Sequence, residues 1–177
     1  MAHGHVILSH GLESGPEATK VSALAKVAEQ LGWTHERPDY RDLDAGRRVE
    51  DIAARIARLE ARARACADPL VLAGSSMGAF ISGEVAMRCG AALRGLFLMA
   101  PPIRMPGWWP TPLNAPAGLP LVVLHGWEDE LIAANEVVDW CASRKAELRL
   151  VNDSHRLAAH VDYSAQCFGD LLKRVSP

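Results

Sequence analysis

Leu70-Val71-Leu72-Ala73-Gly74-Ser75-Ser76-Met77-Gly78-Ala79-Phe80-Ile81 begins as a short apolar run, passes two serines set between glycines, and continues into a second apolar run. The first run has the unbroken apolar character of a strand buried on both faces, and residues 77–89 fit a helix. Gly74-Ser75-Ser76-Met77-Gly78 therefore matches Gly-x-Ser-x-Gly at a strand-to-helix turn. A serine on so tight a turn needs strained backbone angles, and the residues two places away must be small to let the chains approach. Ser76 then projects its Oγ above the sheet. The helix N-terminus beneath it supplies N–H groups and a positive dipole end, so the Met77 N–H can face an oxyanion formed when Ser76 attacks a carbonyl. Ser75 lacks glycine spacing on both sides and reads as structural. A chance small-residue turn is the competing interpretation, and the strand and helix on either side weigh against it.

Working outward, short apolar runs alternate with stretches of helical period, the pattern of a parallel sheet covered by helices on both faces. The fold class is α/β, with strands expected near 5–9, 33–37, 69–73, 95–99, 120–125 and 147–151. A first helix is expected from Ser14-Gly15-Pro16-Glu17, where Ser14 is a candidate N-cap, Glu17 stands three residues on, and Val21, Leu24, Val27 and Leu31 form the apolar face. A second spans about 49–66, with Ile52, Ile56 and Leu59 on one stripe and its arginines read as a solvated face. Further helices fit 77–89, 133–145 and 159–174. Residues 101–120 break the rhythm, because they hold seven of the eleven prolines and cannot form a long helix.

Length and composition bound the rest. A chain of 177 residues suits one domain over 1–177, which hides roughly 70% of its unfolded surface without help from disulfides or metal. A net charge of −2 with no long basic run gives no footprint for nucleic acid or a membrane surface. Cys66, Cys89, Cys141 and Cys167 lie far apart, with no Cys-x-x-Cys pair, and read as reduced core thiols. The N-terminus lacks a basic region and a long apolar run, so the expectation is a cytoplasmic protein.

An unperturbed serine hydroxyl is a poor nucleophile, so an acid and a histidine base should follow Ser76 in chain order. His125-Gly126-Trp127-Glu128-Asp129-Glu130-Leu131-Ile132 forms a turn after a strand, at the sheet edge where catalytic groups collect. Glu128, Asp129 and Glu130 compete for the acid's role, and composition does not choose among them. His155 lies in a loop beyond the last strand and is favoured as base over His160, which falls in the final helix. His10 and His125 precede glycines at strand ends and read as turn-shaping residues. A second oxyanion donor is expected from the loop Ser9-His10-Gly11-Leu12-Glu13-Ser14-Gly15, from the backbone N–H of Leu12.

Taken together, the His10-Gly11 loop, the turn at 74–78, His125-Gly126-x-x-Asp129-x-x-Ile132 and the late His155 resemble the α/β-hydrolase superfamily across nearly the whole chain. The resemblance selects Asp129 as the acid and places His155 in the base position. The stretch from Ser9 to Lys20 also looks like the start of small lidless bacterial hydrolases. It implies a sheet of about six strands in the order 2-1-3-4-5-6 without a lid domain, the 101–120 loop standing where a lid would be inserted. Met105, Trp108 and Trp109 in that loop are candidates for an apolar substrate wall, or alternatively for a cap on the core or a dimer surface. Glu13 is expected to face solvent.

The implied activity is serine-dependent cleavage of carboxylic esters with small to medium acyl chains. Thioesterase, amidase and acyltransferase chemistry on the same residues, and a non-catalytic scaffold using the tryptophan loop, stand as alternatives. The expected partner is a small-molecule ester, with no nucleic acid or membrane, no cofactor or metal, and a monomer or weak homodimer.

Overall fold

The computed structural model describes residues 2–44 and 49–176, so residues 1, 45–48 and 177 lie outside the description below. Six strands, β1 (His5–Ser9), β2 (Thr34–Glu36), β3 (Leu70–Ser75), β4 (Leu93–Met99), β5 (Leu121–Gly126) and β6 (Glu147–Val151), are joined through six helices. These are α1 (Thr19–Gln30), α2 (Arg41–Asp44), α3 (Val49–Ala65), α4 (Met77–Ala86), α5 (Ala134–Arg144) and α6 (Val161–Val175). The sheet order is β2-β1-β3-β4-β5-β6, as the sequence implies, and every pairing in it is parallel.

Because side chains alternate across a strand, the central strands feed two separate cores. Ile7, Leu70, Leu72, Leu96, Leu98 and Val123 join the core beneath α3, α4 and α5. Their neighbours Val6, Leu8, Val71, Phe97, Met99 and Leu124 join the one beneath α1 and α6. Burial on both faces explains why these strands read as continuous apolar runs.

Three local expectations need correction. α1 starts at Thr19 with Ala18 as its N-cap and no side-chain cap, not at Ser14. The Ala18 N–H instead donates to the Gly15 carbonyl at 3.0 Å, closing a turn with Pro16 in the second position, where its fixed φ is favoured. β4 begins two residues earlier than expected, because Leu93 pairs with Leu70 and the register then shifts so that Val71 faces Gly95. Arg94 is the extra, exposed residue of that irregularity, and its charge interrupts the apolar pattern. The third concerns α3, whose Arg55 is not solvated but wholly buried among Ile52, Ile56 and Leu59.

All four cysteines are free thiols, but only Cys141 is buried; the other three are half-buried rather than core residues. No helix among the described residues is long and apolar enough to cross a membrane. Between β4 and β5 the chain runs through residues 100–120 without helix or strand, and among the described residues no lid domain is inserted there.

α4 reaches β1 through Gly78, where an added Cβ would overlap the carbonyl oxygen of Ser9 and sit 2.8 Å from that of His10. Both obstacles are backbone atoms, which cannot swing aside. Gly78→Ala should therefore destabilise the fold by about 3 kcal/mol or more, at or beyond the upper end for added core atoms. Urea unfolding with a midpoint within experimental error of wild type would sink this expectation.

Candidate active site

The sharp turn expected at Ser76 is present. Ser76 has φ 53° and ψ −118°, left-handed for a residue with a side chain, a conformation costing about 1–3 kcal/mol that only its surroundings can sustain. Its N–H donates to Met99 O at 2.9 Å, and its carbonyl accepts from the Ala79 and Phe80 N–H groups. Gly74 makes the turn possible, since a Cβ there would run into the backbone of Gly78 and Ala79.

Two loops at the same sheet edge converge on Ser76. After β5, the Asp129 Oδ1 accepts the N–H groups of Leu131 at 2.9 Å and Ile132 at 2.8 Å. Its Oδ2 accepts His155 Nδ1–H at 2.8 Å. This leaves His155 Nε2 as the acceptor for the Ser76 hydroxyl, 2.9 Å away. The orientation is over-determined: buried His125 donates Nε2–H to Ile132 O at 3.0 Å, bracing the acid turn. Burial pushes the His125 pKa down.

The acid turn and the base loop are stitched together by Trp127 N–H to Val151 O at 2.8 Å and Glu128 N–H to Asp153 O at 3.1 Å. The base loop has further anchors of its own. Asp153 accepts from the Ser154 and Ala159 N–H groups and from His160 Nδ1, so His160 is turned away from Ser76. Lys20 Nζ donates to Arg156 O, the carbonyl just after His155, at 2.7 Å. Burial pulls the Lys20 pKa down, while Asp153 and Asp129 oppose that shift.

Of the three competing carboxylates, Asp129 alone reaches the imidazole side chain. Glu130 accepts the His155 backbone N–H at 3.1 Å. Glu128 is exposed in the turn.

The β1–α1 loop also approaches Ser76. A Cβ built on Gly11 would lie 3.4 Å from Ser76 Cβ, so the β1–α1 chain passes directly beside the hydroxyl. Met77 is the first residue of α4, and an N–H at that position has no partner within the helix.

Behind this loop stands a cluster the sequence did not disclose. Arg55 donates Nε–H to Asp44 Oδ1 at 2.7 Å and an Nη2–H to Asp44 Oδ2 at 2.6 Å. It also donates to the carbonyls of His10 at 3.1 Å and Gly11 at 3.3 Å. Its guanidinium carbon lies 4.8 Å from the centre of the Tyr40 ring, and Tyr40 in turn hydrogen-bonds Ser9 Oγ at 3.0 Å. Burial pushes the Tyr40 phenol up to about 12. The signal for Arg55 lay in its position: it falls on the same helical stripe as Ile52, Ile56 and Leu59.

A cleft of about 670 Å³ opens over Ser76 and His155, lined by Leu12, Glu13, Lys20, Trp108, Leu131 and Arg156 among others. Of the three candidate wall residues only Trp108 lines it. Met105 packs on the core beneath α3, α4 and α5, and Trp109 does the same with its ring edge-on to Phe80 at 6.3 Å. Glu13 is exposed but borders the cleft, with φ 54°. A larger concavity of about 890 Å³ includes Leu121 and Glu147, the first residues of β5 and β6. It lies at the opposite sheet edge from the Ser76 turn, whereas the smaller cleft contains Ser76 and His155. Among the described residues no group of three or more His, Cys, Asp or Glu side chains is placed to hold a metal ion.

A parallel, doubly covered sheet carrying a hydrogen-bonded serine, histidine and aspartate on its carboxyl-edge loops defines the class of α/β hydrolases. The chain belongs to the alpha/beta hydrolase family, whose model matches residues 6–174. It is 49% identical to a protein from Xanthomonas campestris pv. campestris placed in the alpha/beta hydrolase superfamily, covering 97% of this chain and 99% of that one with a TM-score of 0.90. More distant structures share the fold. An alpha-beta serine hydrolase homologue from Coxiella burnetii superposes with a TM-score of 0.70 at 22% identity, covering 96% and 85% of the two chains. A lidless serine hydrolase from Xanthomonas campestris gives 0.66 at 20% identity, covering 97% and 83%. No curated protein sequence matches the chain.

Proposed function

We propose that the protein is a serine hydrolase that cleaves carboxylic esters with small to medium acyl chains through an acyl-enzyme on Ser76. The observation that carries this reading is the unbroken relay from Asp129 Oδ2 to His155 Nδ1 at 2.8 Å and from His155 Nε2 to Ser76 Oγ at 2.9 Å.

In the first half-reaction the Ser76 oxygen bonds to the ester carbonyl carbon while its proton passes to His155 Nε2. The carbonyl π electrons become the oxyanion lone pair, held by the N–H groups of Leu12 and Met77. Collapse breaks the carbon–oxygen bond to the alcohol, which leaves with the proton from His155. Water then repeats the sequence, giving up a proton to His155 and releasing the acid as Ser76 recovers its hydrogen. Asp129 holds the ring in the tautomer that makes Nε2 basic.

The cleft suits such substrates because Leu12, Leu131 and Trp108 offer apolar surface beside the polar centre. The four free thiols support work in a reducing compartment, the cytoplasm.

The test is turnover of p-nitrophenyl esters of two to twelve carbons, with rapid-quench intact mass to detect the acyl-enzyme. The expected result is a mass increase equal to the acyl group, located on Ser76, with the highest kcat/KM at the shorter chains. Absence of turnover and of any adduct across the panel overturns the proposal.

A further inference from the structure

Arg55 is a fully buried cation that grips Asp44 with two hydrogen bonds and the successive carbonyls of His10 and Gly11 with one each. The Gly11 carbonyl oxygen accepts Arg55 Nη2–H at 3.3 Å and also His10 Nδ1–H at 2.8 Å. The His10 assignment is forced from both sides. A carbonyl can only accept, so Nδ1 carries the hydrogen; the Tyr40 N–H donates to Nε2 at 3.0 Å, so Nε2 is bare. Arg55 Nη1 holds the preceding carbonyl, that of His10, at 3.1 Å. Asp44, Tyr40 and the apolar stripe of α3 fix the guanidinium in turn.

The other end of that peptide unit is the Leu12 N–H. A peptide is planar and trans, so its C=O and N–H point in opposite directions; whatever fixes the Gly11 carbonyl also aims the Leu12 N–H. Two donors on the carbonyl, one of them charged, also draw electron density toward oxygen and make the N–H a stronger donor. We propose that Arg55, with His10, is a positioning residue that aims and polarises the Gly11–Leu12 peptide so that its N–H stabilises the oxyanion formed at Ser76. The inference rests on the acyl-transfer reading of the site. It gives a buried charge, costly to desolvate, a task in the transition state beyond neutralising Asp44.

The test compares wild type with Arg55→Lys, Arg55→Met, and Arg55→Met combined with Asp44→Asn. The combined variant removes both charges together, so it leaves no unpaired carboxylate behind. For each, thermal unfolding, kcat and KM for p-nitrophenyl acetate, and the inhibition constant of phenylboronic acid are measured. In the boronate complex the Ser76 oxygen bonds to boron and produces a tetrahedral anion that mimics the oxyanion state.

The expected result is a folded combined variant with KM within about two-fold of wild type and kcat reduced about 10- to 100-fold, somewhat less than outright loss of one oxyanion donor. Boronate affinity should fall in parallel. Arg55→Lys should recover only part of the loss, because a point charge cannot fork between two carbonyls and a carboxylate. A folded combined variant with kcat and boronate affinity both within two-fold of wild type overturns the inference. If the neutral pair does not fold, Arg55→Lys decides in the same way, a lower kcat at constant KM supporting the inference and an unchanged kcat overturning it. A wild-type protein that turns over no ester and forms no boronate complex overturns the acyl-transfer reading itself, and the inference with it.

Discussion

Ser76→Ala should lose essentially all ester turnover, with kcat reduced by about 10⁵- to 10⁶-fold, and should no longer be labelled by a fluorophosphonate. His155→Ala should lose nearly as much, and the double variant should be no worse than either single one. Non-additivity is the informative part. If His155 acts only by taking the proton of Ser76, it has nothing left to do once the hydroxyl is gone. Both variants should fold normally, since alanine at 76 leaves the backbone bonds of the turn to Met99, Ala79 and Phe80 untouched. Alanine at 76 must still hold a positive φ of 53°. The wild-type serine bears the same strain, so the stability change should be small.

Intact mass after phosphonate treatment, mapped to the peptide containing Gly74 to Gly78, reads the result directly. Full labelling of Ser76→Ala would show that another residue is the nucleophile. Ser75 is the neighbouring hydroxyl, and its buried place at the end of β3 leaves it the weaker candidate.

Ser76 and His155 were legible in the sequence from their local settings, and Asp129 through the family resemblance. Ser76 is marked by the glycines its turn requires and His155 by its place in a loop after the last strand, while the acid turn offered three carboxylates from which only the resemblance chose Asp129. The α/β class follows from the alternation of apolar runs and helical stretches, whereas the sheet order came with the family resemblance. What the sequence hid depends on contacts between distant segments. Arg55 looked like one of several solvated arginines on α3, yet its spacing from Ile52 and Leu59 turns it inward, and Asp44 and the β1–α1 loop supply the partners that make burial tolerable. The proline-rich loop has no period to say which side chains face in. Both tryptophans pack on the core beneath α3, α4 and α5, but Trp108 also borders the cleft while Trp109 sets its ring edge-on to Phe80. Ser14 and Glu17 have the composition of a capping box, but the chain first makes a turn from Gly15 to Ala18 around Pro16, and Glu17 pairs with Arg37 at 3.3 Å instead.

The acid offers the second large effect, and here the chemistry can be separated from the fold. Asp129 Oδ1 is committed to the N–H groups of Leu131 and Ile132, while Oδ2 alone faces the imidazole. In Asp129→Asn the amide oxygen must take the Oδ1 position, since an NH₂ there would confront two donors. The amide NH₂ then faces His155 and can only donate. His155 Nδ1 must become the acceptor, which moves the ring hydrogen to Nε2, and Nε2–H now points at Ser76 Oγ and cannot take its proton.

The turn survives with both backbone bonds, so Tm should remain close to wild type while kcat falls by about 10⁴-fold with little change in KM. Asp129→Ala differs in an instructive way, because it also strands two backbone N–H groups and should lose about 1–3 kcal/mol of stability on top of its activity. Nitrogen-15 spectra of the His155 ring report the tautomer independently of rate. A ring hydrogen still on Nδ1 in Asp129→Asn, or a kcat above a tenth of wild type, would remove Asp129 from the role of orienting acid.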